Sequence, residues 1–269
     1  MNWIQRLIRR ITFILRVANQ LGADIPSRLK MITGGIWLLI NDSWKSRLRF
    51  TATIRWNQRV APFFFEEAGD FELLDEVFLN GSYYFSDPVP NHGIIIDLGA
   101  NIGVSSLFFS MNWPSATIHS VEPDPENFKR LQRTASVQKN MILHNAAVWP
   151  EATTIPFYRN RRRGSSSSIY PEGSDIEKIE IRTITLSQLL EQTGSNKVSL
   201  VKFDIEGAEE KLFSGFDEFQ RIERLAGELH HDLCNTSELL DKVKKQYNSI
   251  DFYPLKEHRE YLLARNQKE

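Results

Sequence analysis

The sequence predicts an α/β fold: a mainly parallel sheet with helices on both faces, preceded by an N-terminal helical extension. Three observations carry this. From residue 93 onward, short apolar runs of strand length alternate with helical patterns, which is the signature of βαβ units. The first such run, Gly93 to Leu98, is apolar almost throughout, as a strand buried on both faces must be. The first 60 residues lack this alternation and carry a different charge. They hold eleven Lys and Arg against two acids, Asp24 and Asp42, a net of +9; residues 61–269 hold 22 against 32, a net of −10. The near-neutral total of −1 therefore hides two parts suited to different partners. We divide the chain at 60/61 on this basis.

The elements follow in order. Residues 1–18 read as a helix, because Trp3, Ile4, Leu7, Ile8, Ile11, Ile14 and Leu15 form one apolar stripe at three- and four-residue steps. Arg6, Arg9, Arg10 and Arg16 lie off that stripe, although Phe13 interrupts the polar face. Such a helix can lie on an anionic membrane surface, or pack on its own core or on a second subunit. Leu21 to Ile25 is a turn, and 27–40 a second helix weakened by Gly34 and Gly35. Phe50 to Trp56 reads as a strand. Phe71 to Asn80 is a short helix stopped by Gly81. Tyr83, Tyr84 and Phe85 fall in a loop before Pro88 and Pro90, and Tyr83 and Tyr84 either close over a ligand or pack against the preceding helix.

The regular part begins at 93. A glycine turn follows the first strand, then the helix VSSLFFSMNW, ended by Pro114. ATIHSVE is a strand ending at Glu122, residues 125–138 a helix and MILHNAAV a third strand. Thr153–Tyr158 and Ile179–Thr185 are strands around the polar insert RNRRRGSSSS. Leu186 to Gln192 is a helix, VSLVKFD a strand, and a helix starts at Gly207. RLAGELHH is a strand, 236–247 a helix, and Tyr253 with Glu260–Ala264 a closing hairpin.

Composition excludes several classes. A hydrophobic content of 41% is that of a globular protein. The single cysteine, Cys234, leaves no intrachain disulfide. The longest uncharged apolar stretch, residues 31–40, is short of the ~20 residues that span a bilayer. No secretory signal is expected at the start. The acidic body offers no broad basic face for phosphates, so nucleic acid is not an expected partner.

Two motifs carry chemistry. The first is Asp97-Leu98-Gly99-Ala100-Asn101-Ile102-Gly103, at a strand end that opens a helix. Glycines there let a ligand approach the backbone, and ligands of open α/β sheets bind at the carboxyl ends of strands. Glu122, followed by Pro123, ends the next strand, where a carboxylate can accept both hydroxyls of a ribose. The G-x-x-x-G spacing lacks a glycine of the dinucleotide fingerprint. This disfavours a pyrophosphate and hence an NAD(P)-dependent oxidoreductase. Asp97 instead suits a cationic ligand, such as a sulfonium bearing an amino group. The second motif is Lys202-Phe203-Asp204-Ile205-Glu206-Gly207-Ala208-Glu209. With Glu228 and His230 on the next strand it forms an acid/base or metal constellation on the same edge. His231 faces the other way and reads as structural.

DLGANIG, VEPDPENF and KFDIEGAEE together resemble the FkbM-type methyltransferases, over roughly residues 70–255. The Lys-x-Asp-x-Glu-Gly-Ala-Glu string is the most specific element. The Gly-Ser-Ser-Ser run at 164–167 and the Thr185-Leu186 helix start also look like the family. Ser187 stands where the family commonly has Asp, a change that falls on helix capping. The resemblance implies a Rossmann-like methyltransferase fold with a seven-stranded sheet, S-adenosylmethionine as cofactor, and O-methylation of a sugar, glycan or natural-product hydroxyl. On that reading Asp97, Gly99, Ala100, Asn101, Gly103, Glu122 and Pro123 bind the cofactor. Asp204, Glu206, His230 and Lys202 are the catalytic candidates. His230 is the better base by its ordinary pKa of ~6.5; Asp204 and Glu206 have the better position. No metal ligand is assigned, Mg²⁺ on Asp204 and Glu206 being the less favoured alternative. Arg159 to Arg163 beside the serines either bind an anionic substrate or form a solvated loop. A cytoplasmic protein is expected, with peripheral contact at the inner face of a membrane through residues 1–20, or a homo-oligomer, as alternatives. The remaining alternative is a non-catalytic module docked through its basic N-terminus.

Overall fold

A computed structural model describes residues 3–40, 49–83, 89–90, 92–160, 169, 176–256 and 259–266. Tyr84, Phe85, Pro88 and the run from Arg161 to Ser168 lie outside the described residues. The chain divides into two compact units.

The first unit is residues 1–82 with 133–139. It holds α1 (Trp3–Leu21), α2 (Ile25–Ile40), the hairpin β1 (Phe50–Trp56) and β2 (Arg59–Phe65), and α3 (Gly69–Leu74). Asp24 caps α2 by accepting the Ser27 amide at 2.7 Å, and Pro26 sits in its first turn, where no amide donor is needed. A Cβ at Gly34 would lie 2.4 Å from the Phe50 ring, and one at Gly35 2.9 Å from Phe71. The two glycines that weaken the helix are therefore where aromatic rings pack against it. Strand β2 escapes the sequence pattern. Its hairpin turn is Asn57-Gln58, with φ of 44° and 63°, and Gln is a weak turn signal; Pro62 further disguises the strand. After α3 the chain makes one π-turn over Asp75–Leu79, with the Asn80 amide donating to the Asp75 carbonyl at 2.9 Å, and Gly81 ends it at φ 69°. Arg16 pairs with Asp75, and Glu66 takes both Arg49 and Arg133, so part of the basic excess is spent inside the unit. The 60/61 boundary drawn from charge does not match this division. It cuts β2, all seven of whose residues pair with β1.

The second unit is residues 83–132 and 140–269. Its elements are β3 (Ile94–Leu98), α4 (Val104–Asn112), β4 (Thr117–Val121), α5 (Pro125–Ala135), β5 (Met141–His144), β6 (Ala147–Val148), β7 (Thr154–Asn160), β8 (Ile176–Ile184), α6 (Leu186–Gln192), β9 (Leu200–Phe203), α7 (Glu209–Ser214), β10 (Arg224–His230), α8 (Ser237–Gln246), β11 (Ser249–Lys256) and β12 (Arg259–Arg265). Seven strands form one sheet in the order β11-β12-β10-β9-β3-β4-β5. Only β12 runs against its neighbours. The expected fold class is thus observed: an α/β, Rossmann-like sheet, mostly parallel, with β9 at its centre and β3 beside it.

MILHNAAV is not one strand. It breaks at Asn145, whose amide side chain donates to the Glu122 carbonyl at 2.9 Å, and its second half joins a separate sheet in the order β6-β8-β7. Thr185 caps α6 in a reciprocal capping box with Gln188. Ser187 is therefore not the cap; its hydroxyl bonds Glu218 instead. Tyr83 is not a lid. It is buried against Phe109 and Tyr261, with ring centroids at 6.2 and 5.6 Å.

Candidate active site

Both chemical motifs lie at the carboxyl ends of the central strands. After β3, Gly99 turns at φ 73° and Asn101 at φ 50°, and Gly103, at φ 90°, precedes α4. The Gly99 and Ala100 amides both donate to the Val121 carbonyl, at 3.0 and 2.9 Å, which ties the turn to β4. The Asn101 amide donates to Glu122 Oε2 at 2.8 Å. Glu122 also accepts the Asp124 amide at 2.9 Å. Burial raises the Glu122 carboxyl to about 7, against the pull of its amide donors.

A cleft of about 680 Å³, counting its open mouth, begins here. Gly99, Asn101, Glu122, Pro123 and Asn127 border it from the first motif, and Asp204, Ile205 and Glu206 from the second. Val148, Phe157 and Ile169 supply an apolar wall beside the three-stranded sheet. The arrangement offers an acceptor for hydroxyls at one end, carboxylates at the other and an apolar side between.

Asp97 does not border the cleft, contrary to the expectation that it meets a cationic ligand. It is fully buried. Its Oδ2 accepts from Ser105 at 2.7 Å and Ser106 at 2.6 Å, and its Oδ1 faces Lys202 Nζ at 3.1 Å. Lys202 is equally hidden. Its ammonium donates to the carbonyls of Gly99 at 2.9 Å and Leu98 at 3.3 Å and lies 5.4 Å from the Tyr83 ring centroid. Lys202 thus holds the glycine turn from behind, and the expectation of a catalytic lysine is corrected to that of a positioning residue. Ala100 and Gly103 shape the turn without reaching the cleft.

The second cluster centres on His230, which is fully buried at the end of β10. Its Nδ1 bonds Glu209 Oε1 at 2.8 Å. Its Nε2 faces Glu206 Oε2 at 3.5 Å, Glu228 Oε1 at 3.6 Å and Asp204 Oδ1 at 3.8 Å. Burial works against charge on the ring, but the Glu209 hydrogen bond and the surrounding carboxylates outweigh it and raise His230 to about 9. In this state the ring holds its proton at neutral pH, so it does not meet the requirement for a general base, which must start unprotonated. Burial, then the charge of Asp204, pushes Glu206 up to about 8. Glu206 also sits at φ 50°, an uncommon conformation for a residue with a side chain. Arg259 Nη1 lies 3.4 Å from Glu228 and 3.8 Å from Glu206. Glu209, buried and bonded to the histidine, was not singled out from sequence. Its only signal is a carboxylate in the first turn of the helix that follows the motif. His231 bonds Glu260 and Thr236, at 3.0 and 2.7 Å, away from this cluster. Arg159 pairs with Glu177 at 2.7 Å across β7 and β8.

Residues 97–253 match the family described as the methyltransferase FkbM domain. The chain is similar to the 31-O-demethyl-FK506 methyltransferase FkbM of Streptomyces tacrolimicus, at 24% identity over 169 residues, covering 51% of this chain and 65% of that protein. It is similar to Methyltransferase 1 of Beauveria bassiana (strain ARSEF 2860), at 24% identity over 164 residues, covering 53% and 66%. The chain thus spans just under two thirds of the length of these two curated relatives. Among solved structures it is similar to a chain of the fibrillarin/Nop5p complex, at 11% identity and a TM-score of 0.48, covering 82% of this chain and 98% of that one.

Proposed function

Taking as premise that the chain belongs to the FkbM-domain methyltransferase family, we propose that it transfers the methyl group of S-adenosylmethionine to a hydroxyl of a small molecule. The observation that carries this is the buried Glu122 carboxylate, facing a cleft whose other end is lined by Asp204 and Glu206. The residues present fit the cofactor. On this reading Glu122 accepts two ribose hydroxyls, and Gly99 lines the cleft with no side chain in the way. When bound, the cofactor supplies an electrophilic methyl group on a sulfonium centre. The chain's own work is to hold the acceptor oxygen in line, exclude water with the Phe157 and Ile169 wall, and take the hydroxyl proton on the cleft-facing Asp204 carboxylate. An oxygen acceptor is supported by the name of the Streptomyces relative, a 31-O-demethyl-FK506 methyltransferase. The acceptor class proposed is a sugar or natural-product hydroxyl.

Titration calorimetry with S-adenosylmethionine tests this. Absence of binding at millimolar cofactor contradicts the proposal. The pH dependence is specific. Glu122 titrates at about 7 in the folded chain, and only its ionised form accepts from both hydroxyls. Binding is therefore expected to tighten about tenfold from pH 6 to pH 8, as the ionised fraction rises through the pKa. Glu122→Gln should flatten that dependence and weaken binding about tenfold at pH 8. A pH slope identical in Glu122→Gln assigns it to another group.

A second reading, peripheral membrane attachment, rests on α1. Trp3, Ile4, Leu7 and Ile8 are exposed, Trp3 at 73%, beside exposed Arg6, Arg9 and Arg10, whereas Ile14, Val17, Ala18 and Leu21 are buried. The first turns of α1 thus present an apolar stripe and a cationic face, which suits an anionic lipid surface. Among the described residues no helix is long and apolar enough to cross a membrane. The full chain is expected to float with vesicles containing phosphatidylserine, and Ile4→Glu/Ile8→Glu, at exposed positions, to stay behind. Unchanged recovery, or a dimer that the same variant splits, assigns the stripe elsewhere.

A further inference from the structure

We propose that Asp204, Glu228 and His230 form a binding site for one divalent transition-metal ion of the Mn²⁺ type. One donor atom from each of the three lies within 4.8 Å of the others. Carboxylates alone would not make a site. The second observation is His230 Nε2, which is fully buried, points into the cluster and has no hydrogen-bond partner among the described residues.

The spacing is informative. Nε2 stands 3.8 Å from Asp204 Oδ1 and 3.6 Å from Glu228 Oε1. These gaps are too long for charge-assisted hydrogen bonds, which close to about 2.7–2.9 Å. Donors each about 2.1 Å from one octahedral ion lie from about 3.0 Å apart in adjacent positions to about 4.2 Å apart in opposite ones. The observed gaps therefore match groups sharing a cation better than groups sharing a proton.

The support behind the ring is also that of a metal ligand. Glu209, fully buried, bonds Nδ1 at 2.8 Å and so turns Nε2 toward the acids. A carboxylate behind an imidazole fixes its tautomer and raises its basicity toward a metal. Glu206 Oε2, 3.5 Å from Nε2, flanks the same space. Arg259 offsets part of the negative charge from one side, at 3.4 Å from Glu228. One imidazole with two carboxylates suits Mn²⁺, Fe²⁺ or Zn²⁺, whereas Mg²⁺ favours oxygen ligands throughout. The bound ion takes the place of the ring proton. Asp204 also lines the cleft, so the ion would meet the acceptor hydroxyl there and make it more acidic. That consequence rests on the methyltransferase reading; the binding itself does not.

The test is titration of the full chain, stripped with EDTA, with MnCl₂, followed by calorimetry and by electron paramagnetic resonance. Mn²⁺ is the probe because it has little preference for the nearby Cys234 thiol. One ion per chain is expected, with micromolar affinity, and with MgCl₂ at least 100-fold weaker. Asp204→Asn and Glu228→Gln should each weaken Mn²⁺ binding at least 30-fold. Glu209→Gln, one step removed, should weaken it about 10- to 100-fold. Circular dichroism reports whether each variant is folded, and the two half-buried acids carry the conclusion if the buried Glu209 variant fails to fold. No saturable binding by the folded wild-type chain at 1 mM MnCl₂ overturns the proposal, as does binding untouched by both acid variants. The two readings separate cleanly. A metal-free chain that binds S-adenosylmethionine but never Mn²⁺ overturns only this site; the reverse result overturns only the methyltransferase reading.

Discussion

Gly99→Ala is expected to lower the unfolding free energy by about 3 kcal/mol or more and to reduce S-adenosylmethionine binding at least 100-fold. A Cβ built at Gly99 would lie 1.8 Å from the Asp204 carbonyl oxygen. That atom is backbone, so no side chain can swing aside. Gly99 also stands at φ 73°, which adds about 1 kcal/mol for alanine. Overpacking by one methyl usually costs about 1–3 kcal/mol. Here the methyl pushes apart the ends of β3 and β9, where the Asp204 amide donates to the Leu98 carbonyl at 3.1 Å. The same displacement moves Asp204 and the Asn101 amide that holds Glu122. Urea denaturation and calorimetry read the two effects separately. The control is Gly215→Ala, where a Cβ meets nothing within 4 Å; it should change stability by about 0.5 kcal/mol or less. Wild-type stability and binding in Gly99→Ala would show that the two strand ends are free to separate.

Much of this site was legible from local pattern. The apolar run ending in Asp97, the glycines after it and Glu122 at the next strand end place a cleft without any knowledge of strand order. So does the second acidic motif, because parallel strands bring all their carboxyl ends to one edge. What was not legible depends on register between distant segments. Asp97 and Lys202 are direct neighbours on β3 and β9, 105 positions apart in sequence, and nothing local to either reveals the pairing. Without it, Asp97 reads as a strand-end acid open to a ligand rather than the buried partner of a lysine. The state of His230 is illegible for a related reason. An ordinary imidazole is a good base, but four acids around one ring are a property of the assembled edge. Glu209 was hidden because the first turn of a helix commonly carries acids for its dipole alone. Strand β2 and the break at Asn145 escape the pattern for local reasons, a Pro inside the strand and an uncharged stretch that continues past the turn.

Lys202→Met is expected to destabilise the fold by about 3–5 kcal/mol, because it strands Asp97 as a buried charge with no cation. Burial of the ammonium works against its charge, but Asp97 foremost, with Asp204 and Glu122, outweighs it and holds Lys202 above its ordinary value. The ammonium therefore keeps its proton throughout the neutral range. Removing the ammonium also leaves the carbonyls of Leu98 and Gly99 without its hydrogen bonds. The double variant Asp97→Asn/Lys202→Met separates the two losses. Asn keeps an acceptor for Ser105 and Ser106 but no longer buries a charge, so the double variant should recover about 2 kcal/mol relative to Lys202→Met alone. What remains missing is the grip on the glycine turn. Cofactor affinity should therefore stay low in the double variant even where stability returns. A catalytic role for Lys202 makes the opposite claim: cofactor binding unchanged and turnover alone lost. Measuring unfolding, cofactor affinity and turnover on the same three proteins decides between a lysine that positions the turn and one that takes part in the chemistry.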